Sequence, residues 1–282
     1  MNITLAKTAG FCMGVARALR RLDQAMVEHP ERTIVTLGPI IHNPQVLARY
    51  HQRGVRVVHG PEDVPDGAVV LIRAHGVPVD TARALAQRPV IVVDATCPKV
   101  KKAQVLIERH CPTNVPLLLF GEPEHPEVQG LKSRAQQAIV FESVNALKRF
   151  SLPVGPAVLA AQTTQERTEF TRIAHLLQAQ IPELTVLDTI CDATKLRQDE
   201  VRLLCQRVEA LVVVGGKNSG NTRRLAQISA ECGRPTWHVE TAAELPPEVA
   251  SLTNIGVTAG ASTPAWVIDE VVAALRGNQT PP

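Results

Sequence analysis

Aromatic residues are scarce in this 282-residue chain, making up 3% of it, with one Tyr and two Trp. Base-stacking platforms for single-stranded nucleic acid are therefore poorly supplied. A net charge of +3, from 30 basic and 27 acidic residues, gives no electrostatic footprint for a phosphate backbone either. No apolar run approaches the roughly 20 residues that cross a bilayer. The opening MNITLAKTAGFC lacks a basic segment followed by an apolar one. These absences point to a cytoplasmic protein with no nucleic-acid partner and no membrane partner. The six cysteines include no C-x-x-C pair, and their wide spacing fits no small stapled domain. In a reducing compartment such residues are thiols or metal ligands.

What is present is the balance of an ordinary globular protein, with 45% apolar and 20% charged residues. Short runs rich in Val, Ile and Leu, bounded by Gly, Pro or polar clusters, predict buried strands that alternate with helical patterns, as parallel α/β architecture requires. Twelve such runs occur, at residues 2–5, 33–37, 56–58, 68–72, 90–94, 115–120, 138–141, 157–161, 184–188, 210–214, 236–239 and 254–258.

Three of these runs lead within a few residues to a cysteine that opens a helical pattern, in KTAGFCMGV, VVDATCPKV and LDTICDAT. Cys12, Cys97 and Cys191 are 85 and 94 residues apart, which divides the chain into near-equal thirds and suggests an internal repeat. The expected units are residues 14–96, 97–190 and 191–282, the last completed by residues 1–13. Each unit is expected to be a four-stranded, mostly parallel sheet with helices. The rhythm continues: His42, His125 and Ser219 follow their cysteines by 30, 28 and 28 residues, and His75, Thr164 and Ser262 form a second set after strands. Ligands of open parallel sheets bind beyond the carboxyl ends of strands, so nine such loops would converge if three units faced a common axis.

The helix starts fit this scheme. His42-Asn43-Pro44 and His125-Pro126-Glu127 put Pro at a first helical position, Ser219-Gly220-Asn221 offers capping groups, and these helices are expected to end at Gly54, Gly130 and Gly233. Helix amino termini beside imidazoles make a pocket for an anion such as diphosphate. They also favour thiolate, so the three cysteines suit metal ligation. Spacing alone leaves zinc and an iron-sulfur cluster both open. Cys111, Cys205 and Cys232 have no counterparts in the other thirds and read as structural.

The ordered motifs GFCMGV, IHNPQV, AHGVP, DATCPKV, HPEVQG, QTTQ, TICDAT, NSGNTRRL and GVTAGAST resemble those of the LytB family of 4-hydroxy-3-methylbut-2-enyl diphosphate reductases, across essentially all 282 residues. The resemblance implies a trefoil of three α/β domains around one [4Fe-4S] cluster, with Cys12, Cys97 and Cys191 as ligands and one open iron. It implies reductive removal of an allylic hydroxyl, giving isopentenyl and dimethylallyl diphosphates in the last step of the non-mevalonate isoprenoid pathway. In that scheme Glu127 relays the proton, Thr163 orients the relay, and His42, His75, His125, Thr164, Ser219, Asn221 and Ser262 hold the diphosphate. Gly220 stands where better-known members carry a second Ser, leaving a backbone N–H in place of a hydroxyl.

Basic residues on the helices after the cysteines, among them Arg17, Arg21, Lys101, Lys102 and Arg197, are either a solvated face or a dock for an acidic ferredoxin or flavodoxin. Glu122 and Glu124 place negative charge beside the expected anion pocket with no role evident in the sequence. Two other classes compete with the reductase. A non-redox zinc or structural protein would purify colourless, and a cluster-dependent lyase of another phosphorylated alcohol would turn over without an electron donor.

Overall fold

The computed structural model describes residues 1–277. It begins with β1 (Asn2–Leu5), α1 (Met13–Glu28), β2 (Ile34–Leu37), α2 (Pro44–Gln52), β3 (Arg56–Val58), β4 (Val69–Ile72), α3 (Val79–Ala86) and β5 (Ile91–Asp94). There follow α4 (Pro98–His110), β6 (Leu117–Phe120), α5 (Pro126–Lys132), β7 (Ala138–Phe141), α6 (Val144–Leu147), β8 (Ala157–Ala161), α7 (Arg167–Gln178) and β9 (Leu184–Val186). The last elements are α8 (Asp192–Cys205), β10 (Ala210–Val214), α9 (Gly220–Glu231), β11 (Thr236–Val239), β12 (Asn254–Ala259) and α10 (Ala265–Leu275). No helix among the described residues is long and apolar enough to cross a membrane.

The twelve strands form three four-stranded sheets, with orders β3-β2-β4-β5, β7-β6-β8-β9 and β1-β12-β10-β11. Every pairing is parallel. The order is the same in each: two central strands carry the earlier partner on one edge and the later one on the other. In the third sheet the later place is filled by β1, so the chain's first strand lies beside β12.

All twelve expected strands exist, but they are not all buried. Central β2, β4, β6, β8 and β10 are buried throughout, whereas the edge strand NITL of β1 is largely exposed. An edge strand has a neighbour on one side only, so its outward residues keep water.

The chain divides into two compact units. One comprises Met1–Ala16, Ile41–Arg49 and the chain from Asp192 on, and the other comprises Arg17–Ile40 and Tyr50–Cys191. The first unit holds the sheet containing β1. Val212, Val214, Val257 and Ala259 face α10, while Leu211 and Val213 face α8 and α9, as the two-residue period of a strand dictates. The second unit holds the other two sheets. There Leu118 and Phe120 pack with Phe170, Ile173 and Leu177 of α7, and Leu117 and Leu119 pack with Ala103 and Ile107 of α4 and Val128 and Leu131 of α5.

One expected boundary is corrected. Gly130 does not end its helix: α5 runs on to Lys132, and Gly130 is buried inside it with its carbonyl accepting from Ser133 Oγ at 2.9 Å. Gly130 takes no left-handed backbone, so it lacks the conformation by which glycine terminates helices. Gly54 and Gly233 do take it, just after α2 and α9.

Candidate active site

Each of the three repeated cysteines is fixed by its own backbone amide. Cys97 N donates to Ala74 O at 2.9 Å, Cys191 N to Thr163 O at 2.9 Å, and Cys12 N to Ala261 O at 3.1 Å. The three acceptors immediately precede His75, Thr164 and Ser262, so one local geometry recurs three times. The thiols are partly accessible, unlike the buried Cys111 and Cys205. Cys97 is the residue before α4, and Cys12 Sγ receives the amide of Val15 at 3.5 Å. Partly open sulfurs at the starts of helices, where N–H groups favour thiolate, are a donor set that fits an iron-sulfur group. Burial pushes the Cys111 thiol up to about 11, the opposite of what a ligand needs. Cys232, expected to be structural, is exposed rather than packed into a core.

Glu127 is 2% exposed in the first turn of α5. Its Oε1 accepts from Thr163 N at 2.6 Å and its Oε2 from Thr163 Oγ1 at 3.0 Å. Burial lifts its pKa to about 7, against the lowering pull of the Thr163 bonds and with help from the negative Glu122. Glu122 thereby gains the role that the sequence does not reveal: its charge discourages a second charge on Glu127. Glu122 is itself tied by its amide to Gln162 Oε1 at 3.1 Å. The result is a carboxyl group that holds a proton near neutrality, as a general acid must.

His125 caps α5 by accepting from Glu127 N at its Nδ1, 3.1 Å away, which aims its other ring nitrogen away from the helix. The His75 ring meets it edge-on, with centroids 5.2 Å apart. α5 has seven residues, so its dipole is short.

In the first unit, His42, Ser219 and Ser262 lie in the loops before α2, α9 and α10, and Gly220 and Asn221 open α9. Ser219 Oγ caps α9 by accepting from Thr222 N at 3.3 Å. Asn221 is buried and its Nδ2 has no hydrogen-bond partner, a donor pair left for a ligand, since buried polar groups are otherwise satisfied. The Ser262 hydroxyl donates to His42 O at 3.0 Å. Gly216 lies so close beneath the same carbonyl that a Cβ would come within 2.7 Å of His42 O.

Arg197, grouped in the sequence with the surface charges, is only 6% exposed and donates to Ala193 O at 3.1 Å and Gly10 O at 2.8 Å. It braces the turn before Cys12. Arg17, Arg21, Lys101 and Lys102 instead line a groove of about 580 Å³ with Asp94, Thr96, Pro98, Val105 and Leu106. Thr96 and Pro98 flank Cys97 in the chain. Arg17 Nη1 reaches Thr96 O at 2.8 Å, and Lys101 pairs with Asp94 at 3.4 Å.

Sequence reasoning passed over Gln162, fully buried with an unpartnered Nε2, and Arg73, which directly follows the buried run Val69–Ile72. For Arg73 the signal was available: a strand of four apolar residues that ends on a cation two residues before a motif histidine.

Comparison with known proteins adds three findings. The family described as LytB protein matches residues 3–276. Among curated relatives, the 4-hydroxy-3-methylbut-2-enyl diphosphate reductase of Solidesulfovibrio magneticus is 51% identical over 284 residues, covering 98% of this chain and 99% of that protein. The reductase of Syntrophotalea carbinolica is 41% identical over 274 residues, covering 96% and 97%. Among solved structures, an (E)-4-hydroxy-3-methyl-but-2-enyl diphosphate reductase described as the terminal enzyme of the non-mevalonate pathway superposes with a TM-score of 0.69 at 38% identity, over 98% of this chain and all of that one. The E-1-hydroxy-2-methyl-but-2-enyl-4-diphosphate reductase of Plasmodium falciparum gives 0.92 at 26% identity, over 100% and 89%.

Proposed function

Because this chain belongs to the LytB family, we propose that it is an iron-sulfur oxidoreductase that converts 4-hydroxy-3-methylbut-2-enyl diphosphate to isopentenyl and dimethylallyl diphosphates in the cytoplasm. Two electrons and two protons enter, the allylic C–O bond breaks, and the oxygen leaves as water. The observation that carries this reading is Glu127, a buried acid with a pKa of about 7, gripped through both oxygens by Thr163. Hydroxide is a poor leaving group, so the departing oxygen needs a proton, and a carboxyl protonated near neutrality can supply it.

The units proposed from the sequence, residues 14–96, 97–190 and 191–282 with 1–13, each take one sheet. Cys12, Cys97 and Cys191 would hold a single [4Fe-4S] cluster. When bound, that group supplies electrons and one iron without a protein thiolate, a Lewis acid for the substrate hydroxyl. The other residues bind and orient. His42, His75, His125, Thr164, Ser219, Asn221 and Ser262 take the diphosphate, and Gly220 offers its amide where a side chain would crowd a phosphate oxygen. The unpartnered Asn221 Nδ2 supports this assignment. Thr163 keeps the Glu127 carboxyl in one orientation, so that its proton is delivered along a fixed line.

The electron donor is proposed to be an acidic ferredoxin or flavodoxin seated on the groove lined by Arg17, Arg21, Lys101 and Lys102. Four cations against one carboxylate, beside half-exposed Val105, suit a partner with acidic groups around an apolar patch. Reversing Lys101 and Lys102 to Glu should slow turnover with the protein donor and flatten its salt dependence, while turnover with a small chemical reductant stays unchanged. Equal rates with the protein donor would remove the groove from the scheme.

Anaerobic turnover of the hydroxy diphosphate by wild type and Glu127→Gln tests the reading as a whole. The variant should keep its brown iron-sulfur chromophore and lose about 100- to 10,000-fold in rate. A wild-type protein that purifies with stoichiometric zinc and no iron would overturn the function, and near-normal turnover by the variant would take Glu127 out of the mechanism.

A further inference from the structure

Among the described residues Arg73 is a cation with no ion-pair partner. It stands one residue beyond β4, in the turn closed by Gly76 N donating to Arg73 O at 3.0 Å. The next residue, Ala74, gives its carbonyl to Cys97 N, and the one after is His75. The guanidinium lies against Gly38, at the end of the neighbouring strand β2. A Cβ on Gly38 would stand 2.5 Å from Arg73 Nη1 and 2.8 Å from its Cζ, and Gly38 holds a φ of 71° that disfavours any side chain. The side chain therefore has a slot made for it at the carboxyl ends of the two central strands.

Within that slot the charge is uncompensated. Arg73 Nε is shut off from water with no hydrogen-bond partner, and among the described residues the side chain makes no ion pair. Burial pulls its pKa down to about 10, with no carboxylate acting the other way. It remains charged at neutral pH. A part-buried guanidinium whose Nε is shut off from water, and which faces no acid among the described residues, has lost solvation that an anion from outside would replace. Its planar fork suits phosphate oxygens.

We propose that Arg73 is a further anion-binding residue of the candidate active site, lending its guanidinium to the diphosphate of the substrate. The proposal rests on the reading above that His75, two residues on, belongs to the diphosphate pocket.

The test is calorimetric titration of inorganic diphosphate into the anaerobically purified protein, comparing wild type, Arg73→Met, Arg73→Lys and His125→Ala, with thermal melting of each. Arg73→Met should weaken binding by about 10- to 100-fold and reduce its salt dependence. Arg73→Lys should recover most of the affinity. Without ligand, Arg73→Met should melt no lower than wild type, because the part-buried charge has no ion pair to lose among the described residues. In turnover, KM should rise more than kcat falls. If Arg73→Met binds diphosphate as wild type does while His125→Ala does not, the pocket stands and Arg73 is no part of it. If both bind normally, the pocket reading falls and this proposal with it. A lower melting temperature with unchanged affinity would make Arg73 a brace for the Gly38 turn, which overturns the proposal.

Discussion

The Glu127 carboxyl keeps its proton to about pH 7, whereas in an unfolded chain a glutamate loses it near pH 4.3, by the usual reference of about that value. Between those limits the folded protein holds a proton the unfolded chain has released. Stability from this group is therefore full below about pH 4 and lost as pH rises through about 7, by roughly 4 kcal/mol in all. Urea unfolding of the cluster-free protein at about pH 5 and about pH 8 should show this fall in wild type and not in Glu127→Gln. Turnover with a chemical reductant should decline over the same upper range, since only the protonated acid serves. Thr163→Val removes one bond that stabilises the carboxylate, so the falling limb of the pH profile should move to higher pH. The sequence places Glu127 beside His125 at a helix start and leaves a dipole-capping carboxylate as an equal reading on spacing alone. What supports the proposed acid role, the burial and the grip from Thr163 36 residues away, is a contact between a helix start and a distant loop that no local pattern encodes.

The strands were legible because each carries its own apolar run between breakers, and parallel central strands are apolar on both faces. Exposure of β1 and β3 was not legible, because edge or centre is decided by which strand pairs beside which. Caps were half legible. Ser219 was expected as a capping group and does cap α9 through Thr222 N, while Gly130 looked like a terminator and is an interior residue. Ser219→Ala should cost about 1 kcal/mol of stability, read as a shifted urea midpoint at constant slope. The same variant should weaken inorganic diphosphate binding if the hydroxyl also meets the ligand. Gly215 carries a φ of 143°, and a Cβ there would collide with Thr263 Oγ1. Gly215→Ala should therefore lower the melting temperature more than Gly220→Ala, a contrast that differential scanning calorimetry can measure.

Across the whole molecule, threefold spacing of the cysteines foretold three sheets, and the recurring amide bonds of Cys12, Cys97 and Cys191 explain the spacing as one local geometry used three times. Those bonds involve no sulfur, and each sheet has its own apolar layers. Removing the iron-sulfur group should therefore leave the far-ultraviolet circular dichroism spectrum near that of the loaded protein, and reconstitution with iron and sulfide should restore the chromophore without refolding. A spectrum that collapses on iron removal would contradict this. The pairing of β1 with β12 has one more consequence, for the order of events at the ribosome. Asn2–Leu5 is translated long before Asn254–Ala259, the strand it bonds to. The carbonyl that anchors the Cys12 amide, on Ala261, comes later still. Cys12 thus lacks that anchor until Ala261 has been made, so on the proposed reading a cluster held by Cys12 cannot reach its final place before then.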